Sequence, residues 1–207
     1  DMTHPTLSLL RNAALVTLAA ATLGGCAAVA VGAAVGTAMV ATDRRTSGVQ
    51  LEDQTIEFKA LSRISETVGD RGHINATSYS RSVLLTGEVP TEADRSAIEQ
   101  AMSRIENVRS TVNDLAVMGS SSLAARSSDT ILTSKVKATY VDAKDLQSSA
   151  VKVVTERGTV YLLGRVTERE ASRAAELARG ISGVQKVVRV FEILTEAELA
   201  TLGDQKK

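Results

Sequence analysis

The chain has 207 residues with 24 Lys and Arg against 24 Asp and Glu, so its formal charge is zero and it shows no overall nucleic-acid footprint. Aromatic residues are 2 % of the chain and Trp is absent, so its cores must be built from Val, Ile, Leu and Ala. One cysteine and two histidines exclude an intramolecular disulfide and Cys-x-x-Cys chemistry, and nearly exclude a His- or Cys-based metal or nucleophile site.

The N-terminus reads as a targeting segment. Arg11 precedes the uncharged apolar run Ala13 to Leu23, which ends in Leu23-Gly24-Gly25-Cys26. A positive start, a short apolar stretch and small residues before a cysteine are the pattern of a lipoprotein signal. Residues 1–25 are therefore expected to be a signal peptide, and Cys26 the residue that is lipidated by diacylglycerol and palmitate. A free structural cysteine is the alternative. Residues 26–45 read as the lipidated cysteine and a tether of small residues. The uncharged stretch Ala27 to Thr42 could instead extend the apolar run into an uncleaved anchor, since about 20 apolar residues span a bilayer. Asp43-Arg44-Arg45 then reads as the return to water. Ala27 and Ala28, rather than an aspartate, follow the cysteine, which by the sorting rule of diderm bacteria points to the outer membrane.

From residue 46 the sequence is written twice. An offset of 76 pairs Asp53 with Asp129, Ile56 with Leu132, Ala60 with Val136 and Ile64 with Tyr140. It also pairs Thr91 with Thr167, Ile105 with Ile181 and Val112 with Val188. Each copy reads helix, strand, strand, helix, strand. Asp53 and Asp129 are expected to cap the first helices, whose apolar stripes recur every four residues. Strands are expected at Ile74–Ser78 and Val83–Val89, and at Val151–Thr155 and Val160–Val166. Glu156-Arg157-Gly158 supplies a tight turn. Thr167-Glu168-Arg169-Glu170 is a capping box, with Thr91-Glu92-Ala93-Asp94 as its weaker twin. Val108–Val117 and Val184–Ile193 close the copies as final strands. The expected division is a first domain at 46–118, a linker at 119–121, a second domain at 122–196 and a tail at 197–207, the two domains being separate and compact.

These twin modules, with Leu85-Thr86-Gly87-Glu88-Val89 matched by Leu162-Leu163-Gly164-Arg165-Val166, resemble BON domains. The ordered set of lipobox, tether, Asp-Arg-Arg and two modules is similar to the dual-BON outer-membrane lipoproteins of the DolP type. The resemblance implies an α+β fold of two tandem αββαβ domains, each a three-stranded mixed sheet packed on two helices. It also implies no enzymatic activity, no cofactor, and binding of anionic phospholipid by the second domain.

Nothing in the sequence argues for catalysis. No HExxH, GxSxG, GxxxxGK[ST] or GxGxxG motif occurs. His73 follows Asp70-Arg71-Gly72 and reads as a solvated turn residue, so no catalytic residue and no metal ligand is assigned.

The two copies differ in charge. Leu51 to Met118 holds 7 basic and 11 acidic residues, a net −4, whereas Ser122 to Leu194 holds 12 and 8, a net +4. In the first helix of the second copy, Ile131 stands where the first copy has Thr55, in the company of Lys135, Lys137 and Lys144. An apolar residue amid lysines suits anionic lipid, each basic residue near the headgroups contributing roughly 1 kcal/mol. The lipid-site candidates are Ile131, Ser134, Lys135, Lys137 and Ala138, with phosphatidylglycerol and cardiolipin as expected partners. The alternative is that Ile131 completes a core and the lysines merely solvate a surface. The family often places an aromatic at Ile131. As a whole the sequence points to a lipid-anchored outer-membrane protein facing the periplasm that supports envelope integrity. The rival reading is an adaptor for an envelope protein partner in outer-membrane assembly or cell division.

Overall fold

The computed structural model describes residues 43–204. The signal peptide, Cys26 and the tether up to residue 42 lie outside the described residues.

The first module runs α1 (Ser47–Val68), β1 (His73–Tyr79), β2 (Ser82–Val89), α2 (Glu92–Met102), then β3 (Ser110–Asn113) and β4 (Ala116–Val117). The second runs α3 (Leu123–Asp142), β5 (Val151–Glu156), β6 (Thr159–Thr167), α4 (Glu168–Arg179) and β7 (Lys186–Leu194), followed by α5 (Glu196–Asp204). In each, an antiparallel hairpin is extended by a parallel final strand beside its second strand. The mixed sheets expected from the repeat are thus present. The stretch expected as one strand at Val108–Val117 is split, because the Asn113 side chain takes the Leu115 N–H (3.3 Å) and Leu115 drops into the core. Its counterpart β7 is continuous.

Gly87 and Gly164 occupy the same place in the two copies of the Leu-x-Gly-x-Val strand. A Cβ at Gly87 would lie 2.0 Å from the His73 carbonyl oxygen, and one at Gly164 would lie 2.2 Å from that of Ala150. The glycine is required by the close approach of neighbouring backbone at the foot of each hairpin.

Asp53 and Asp129 do not cap their helices. The caps are Thr46 and Ser122, so both aspartates lie well inside α1 and α3 and are buried. Each carboxylate instead accepts both N–H groups of the hairpin turn beneath it. Asp53 takes Ser80 N (2.8 Å) and Arg81 N (2.7 Å); Asp129 takes Arg157 N and Gly158 N (both 2.8 Å). All four turn residues have positive φ, which aims their N–H groups inward together and leaves them in need of an acceptor. The capping box at Thr167 and Glu170 forms as expected, and Thr195 with Glu198 starts α5 in the same way.

Strands alternate their side chains between two faces, and both faces of β2 and β6 are covered. Val83, Leu85 and Val89 pack under α1 and α2; Val160, Leu162 and Val166 pack under α3 and α4. On the opposite faces, Tyr79, Leu84 and Val112 meet Val154, Tyr161, Leu163, Val188 and Val190 in a third cluster that belongs to both modules. The modules are therefore not separate bodies. They stack sheet against sheet with their helices outermost, and each apolar side chain fully buried there contributes roughly 1.5–3 kcal/mol.

Polar contacts fasten the same seam. Lys152 Nζ donates to Glu57 (2.9 Å), Tyr161 Oη to Asp114 (2.7 Å) and Asn75 Nδ2 to Glu156 (3.0 Å). Asp43-Arg44-Arg45, expected to be solvated, is built into the fold. Arg44 is buried, forks onto both oxygens of Glu170 (2.7 Å each) and reaches the Arg165 carbonyl (2.8 Å). Arg45 bonds Asp43 and Asp53 and lies 4.1 Å above the Tyr79 ring centroid. A guanidinium is weakly hydrated and planar, so it can enter a seam where carboxylates and a ring await it.

Candidate functional site

The charge contrast directs attention to α3, an outer helix of the basic module. Its buried side presents Asp129, Leu132, Val136 and Tyr140. Tyr140 reaches through the core to the Ala174 carbonyl (2.8 Å), and burial pushes its hydroxyl well above the ordinary tyrosine range. This anchoring fixes which side of the helix faces water.

All five sequence candidates are exposed. Ile131 is 56 % accessible, so it does not complete a core. At about 100° per residue, Ser134, Lys135 and Ala138 lie within about 60° of Ile131 around the axis, forming one face. Lys137 lies about 120° away and does not share it. Among the described residues, neither Lys135 nor Lys137 has a carboxylate partner. Several other cations of this module are neutralised: Arg165 by Glu192, Arg173 by Asp145 and Glu176, and Arg189 by Glu168. Asp142 bounds the face at its C-terminal end.

Beside this face a cleft of about 600 Å³ opens between α3 and the loop before β7, lined in part by Ser128, Ile131, Leu132, Lys135, Gly183 and Gln185. It is wide, open to water and shaped by small residues.

The sequence matches the BON domain over residues 52–119 and again over residues 128–195. The chain belongs to the BON-domain family. Both matched spans coincide with the modules seen in the fold, so α3 is the first helix of the second BON domain. The chain is 39 % identical over 192 residues to the outer membrane lipoprotein DolP of Haemophilus influenzae, covering 91 % of this chain and 99 % of that one. It is 29 % identical over 151 residues to a 21 kDa hemolysin of Actinobacillus pleuropneumoniae, covering 72 % and 78 %. The likeness to the first of these along almost its full length makes this BON-domain chain a lipid-anchored outer-membrane lipoprotein.

Two features of these BON domains were missed in the sequence. One is on α1, where Leu51, Phe58 and Leu61 are 65 %, 76 % and 50 % exposed on one uncharged side of the helix. Their spacing of three and seven residues gives the signal; at about 100° per residue Leu51 and Phe58 lie about 160–180° from Ala60 at the centre of the core stripe, so they form a second face turned away from the core. The other is His73, which opens β1 instead of lying in a solvated turn. It stands at the seam between the modules, with Nδ1 3.4 Å from Glu88 and 4.0 Å from Glu156.

Proposed function

We propose that this lipoprotein is non-enzymatic and supports envelope integrity by binding anionic phospholipid through α3 of its second BON domain. The observation that carries the reading is an exposed Ile131 beside an unpaired Lys135 at the mouth of an open cleft. A short apolar contact joined to uncompensated positive charge is what a headgroup layer rich in phosphatidylglycerol or cardiolipin rewards. The face holds one lysine and no ring, so binding is weak in isolation and draws on acylated Cys26 to hold the module near the bilayer.

A second reading rests on a separate observation. The exposed Leu51, Phe58 and Leu61 of α1 offer an apolar contact without basic residues on an acidic module, which favours a protein partner over anionic lipid. In that reading the protein is an adaptor for envelope assembly or division.

Vesicle sedimentation separates them. The chain carrying Cys26→Ser, and so without acyl groups, should sediment with phosphatidylglycerol or cardiolipin vesicles and not with zwitterionic ones, and its binding should fall between low salt and about 0.5 M salt. Ile131→Asp and Lys135→Glu should weaken it while Phe58→Asp leaves it unchanged. The reverse pattern in folded variants would move the function to α1.

A further inference from the structure

At the seam between the modules, three side chains converge that no described role employs. His73 and Glu88 come from β1 and β2 of the first module, and Glu156 from the end of β5 in the second. Their ligand atoms all lie within 4.8 Å of one another. The side chains of Glu88 and Glu156 are 0 % and 4 % exposed, and His73 Nδ1 is buried without a hydrogen-bond partner.

Two buried carboxylates this close need positive charge, because each raises the cost of ionising the other. Arg157 supplies part of it, with Nη1 3.5 Å from Glu88 Oε1. Asn75 and the Ser121 N–H occupy one oxygen of Glu156 and one of Glu88, at 3.0 Å each.

The His73 Nδ1 distances are 3.4 Å to Glu88 Oε2 and 4.0 Å to Glu156 Oε1, and neither is a hydrogen bond. Ligands held about 2.1 Å from a tetrahedral ion stand about 3.4 Å apart. The 3.4 Å separation matches one edge of such a coordination sphere, and the 4.0 Å separation is longer and must close when an ion binds. A side cleft of about 170 Å³, lined by His73, Asn75, Arg126, Asp129, Thr130 and Glu156 among others, opens the group to solvent.

We propose that His73 Nδ1, Glu88 and Glu156 bind a divalent transition-metal ion of the zinc type, which staples the two BON domains together. One imidazole nitrogen and two carboxylate oxygens suit Zn²⁺ and are a poor set for Ca²⁺, which takes six to eight oxygens. Two ligands come from one module and one from the other, so binding stabilises the stacked arrangement over any open one.

The test uses the full chain carrying His4→Gln, so that His73 gives the only imidazole signals. One equivalent of Zn²⁺ should shift the ¹⁵N resonance of His73 Nδ1, with Nε2 left unligated, and should raise the thermal midpoint. Mg²⁺ at the same concentration should do neither. His73→Gln and Glu156→Gln should each weaken Zn²⁺ binding at least tenfold. No change at Nδ1 in excess Zn²⁺ would overturn the site, as would ligation through Nε2 or full affinity in both folded variants. If a variant fails to fold, the Nδ1 signal of the chain with native His73 still decides.

Discussion

Removing Arg44 should destabilise the second module from a position nearly 80 residues before it begins. Arg44 donates to both Glu170 oxygens at 2.7 Å, to the Arg165 carbonyl at 2.8 Å and to Gln147 at 3.0 Å, with both charged side chains at most 8 % exposed. Breaking a buried pair by deleting one partner costs about 3–5 kcal/mol, since the remaining charge is stranded. Glu170 retains the Thr167 N–H at 3.0 Å, which places Arg44→Ala near about 3 kcal/mol, at the lower end of that range. For a chain of this size the midpoint should drop by roughly 6–12 °C. The double variant Arg44→Ala/Glu170→Gln should recover part of the loss, because a neutral amide needs no counter-charge. The Arg44 guanidinium holds the Glu170 carboxyl below its ordinary range, so the pair contributes stability at neutral pH. That contribution should fade as pH falls below the unfolded value of about 4.3 toward the folded one, and Arg44→Ala should flatten this part of the acid profile. Urea unfolding followed by circular dichroism at pH 7 and through the acid range measures all of this. A loss below about 1 kcal/mol would refute the reasoning, since that is the scale of an exposed pair.

Two further outcomes follow from the same structure. Fragments 46–118 and 122–196 each keep a core beneath their own helices and should unfold cooperatively, but at lower urea midpoints than the intact chain, because Leu84, Tyr161 and Leu163 become exposed; equal midpoints would deny the shared cluster. Cys26→Ala should remove the protein from the outer-membrane fraction, since buried acyl chains at about 0.8 kcal/mol per methylene exceed what one lysine and one isoleucine supply; normal recovery in that fraction would remove the lipid anchor from the account.

What the sequence made legible was whatever repeats or acts locally. The offset of 76 exposed both modules, four-residue stripes placed the helices, and Thr167 with Glu170 marked the start of α4. Features misread were those decided by distant residues. Asp53 resembles a helix cap until the hairpin 27 residues later delivers two N–H groups to it. Arg44 resembles a solvated charge until Glu170, 126 residues away, closes on it. The stacking of the sheets had left a trace, since Leu84-Leu85 and Tyr161-Leu162-Leu163 break the alternation of a strand with one wet face. At the candidate site, Ile131 was legible as a departure from the repeat, whereas Lys135 repeats Lys59 and differs from it only in having no carboxylate partner where Lys59 has Glu106. The misplacement of Lys137 needed only the 100° step of the helix. The same step places Phe58 about 160° from Ala60, on the side of α1 away from the core, and its exposure could have been read in the same way.

The central claim is that α3, and not α1, meets the membrane. With Cys26→Ser as background the chain has no cysteine, so a fluorophore can be placed at Ser134→Cys or at Thr55→Cys on the corresponding helix of the other module. Quenching by brominated phosphatidylglycerol in vesicles reports which probe enters the lipid. The account predicts quenching at position 134 that grows with vesicle concentration and weakens with salt, and little at position 55. Quenching at 55 with none at 134 would contradict it.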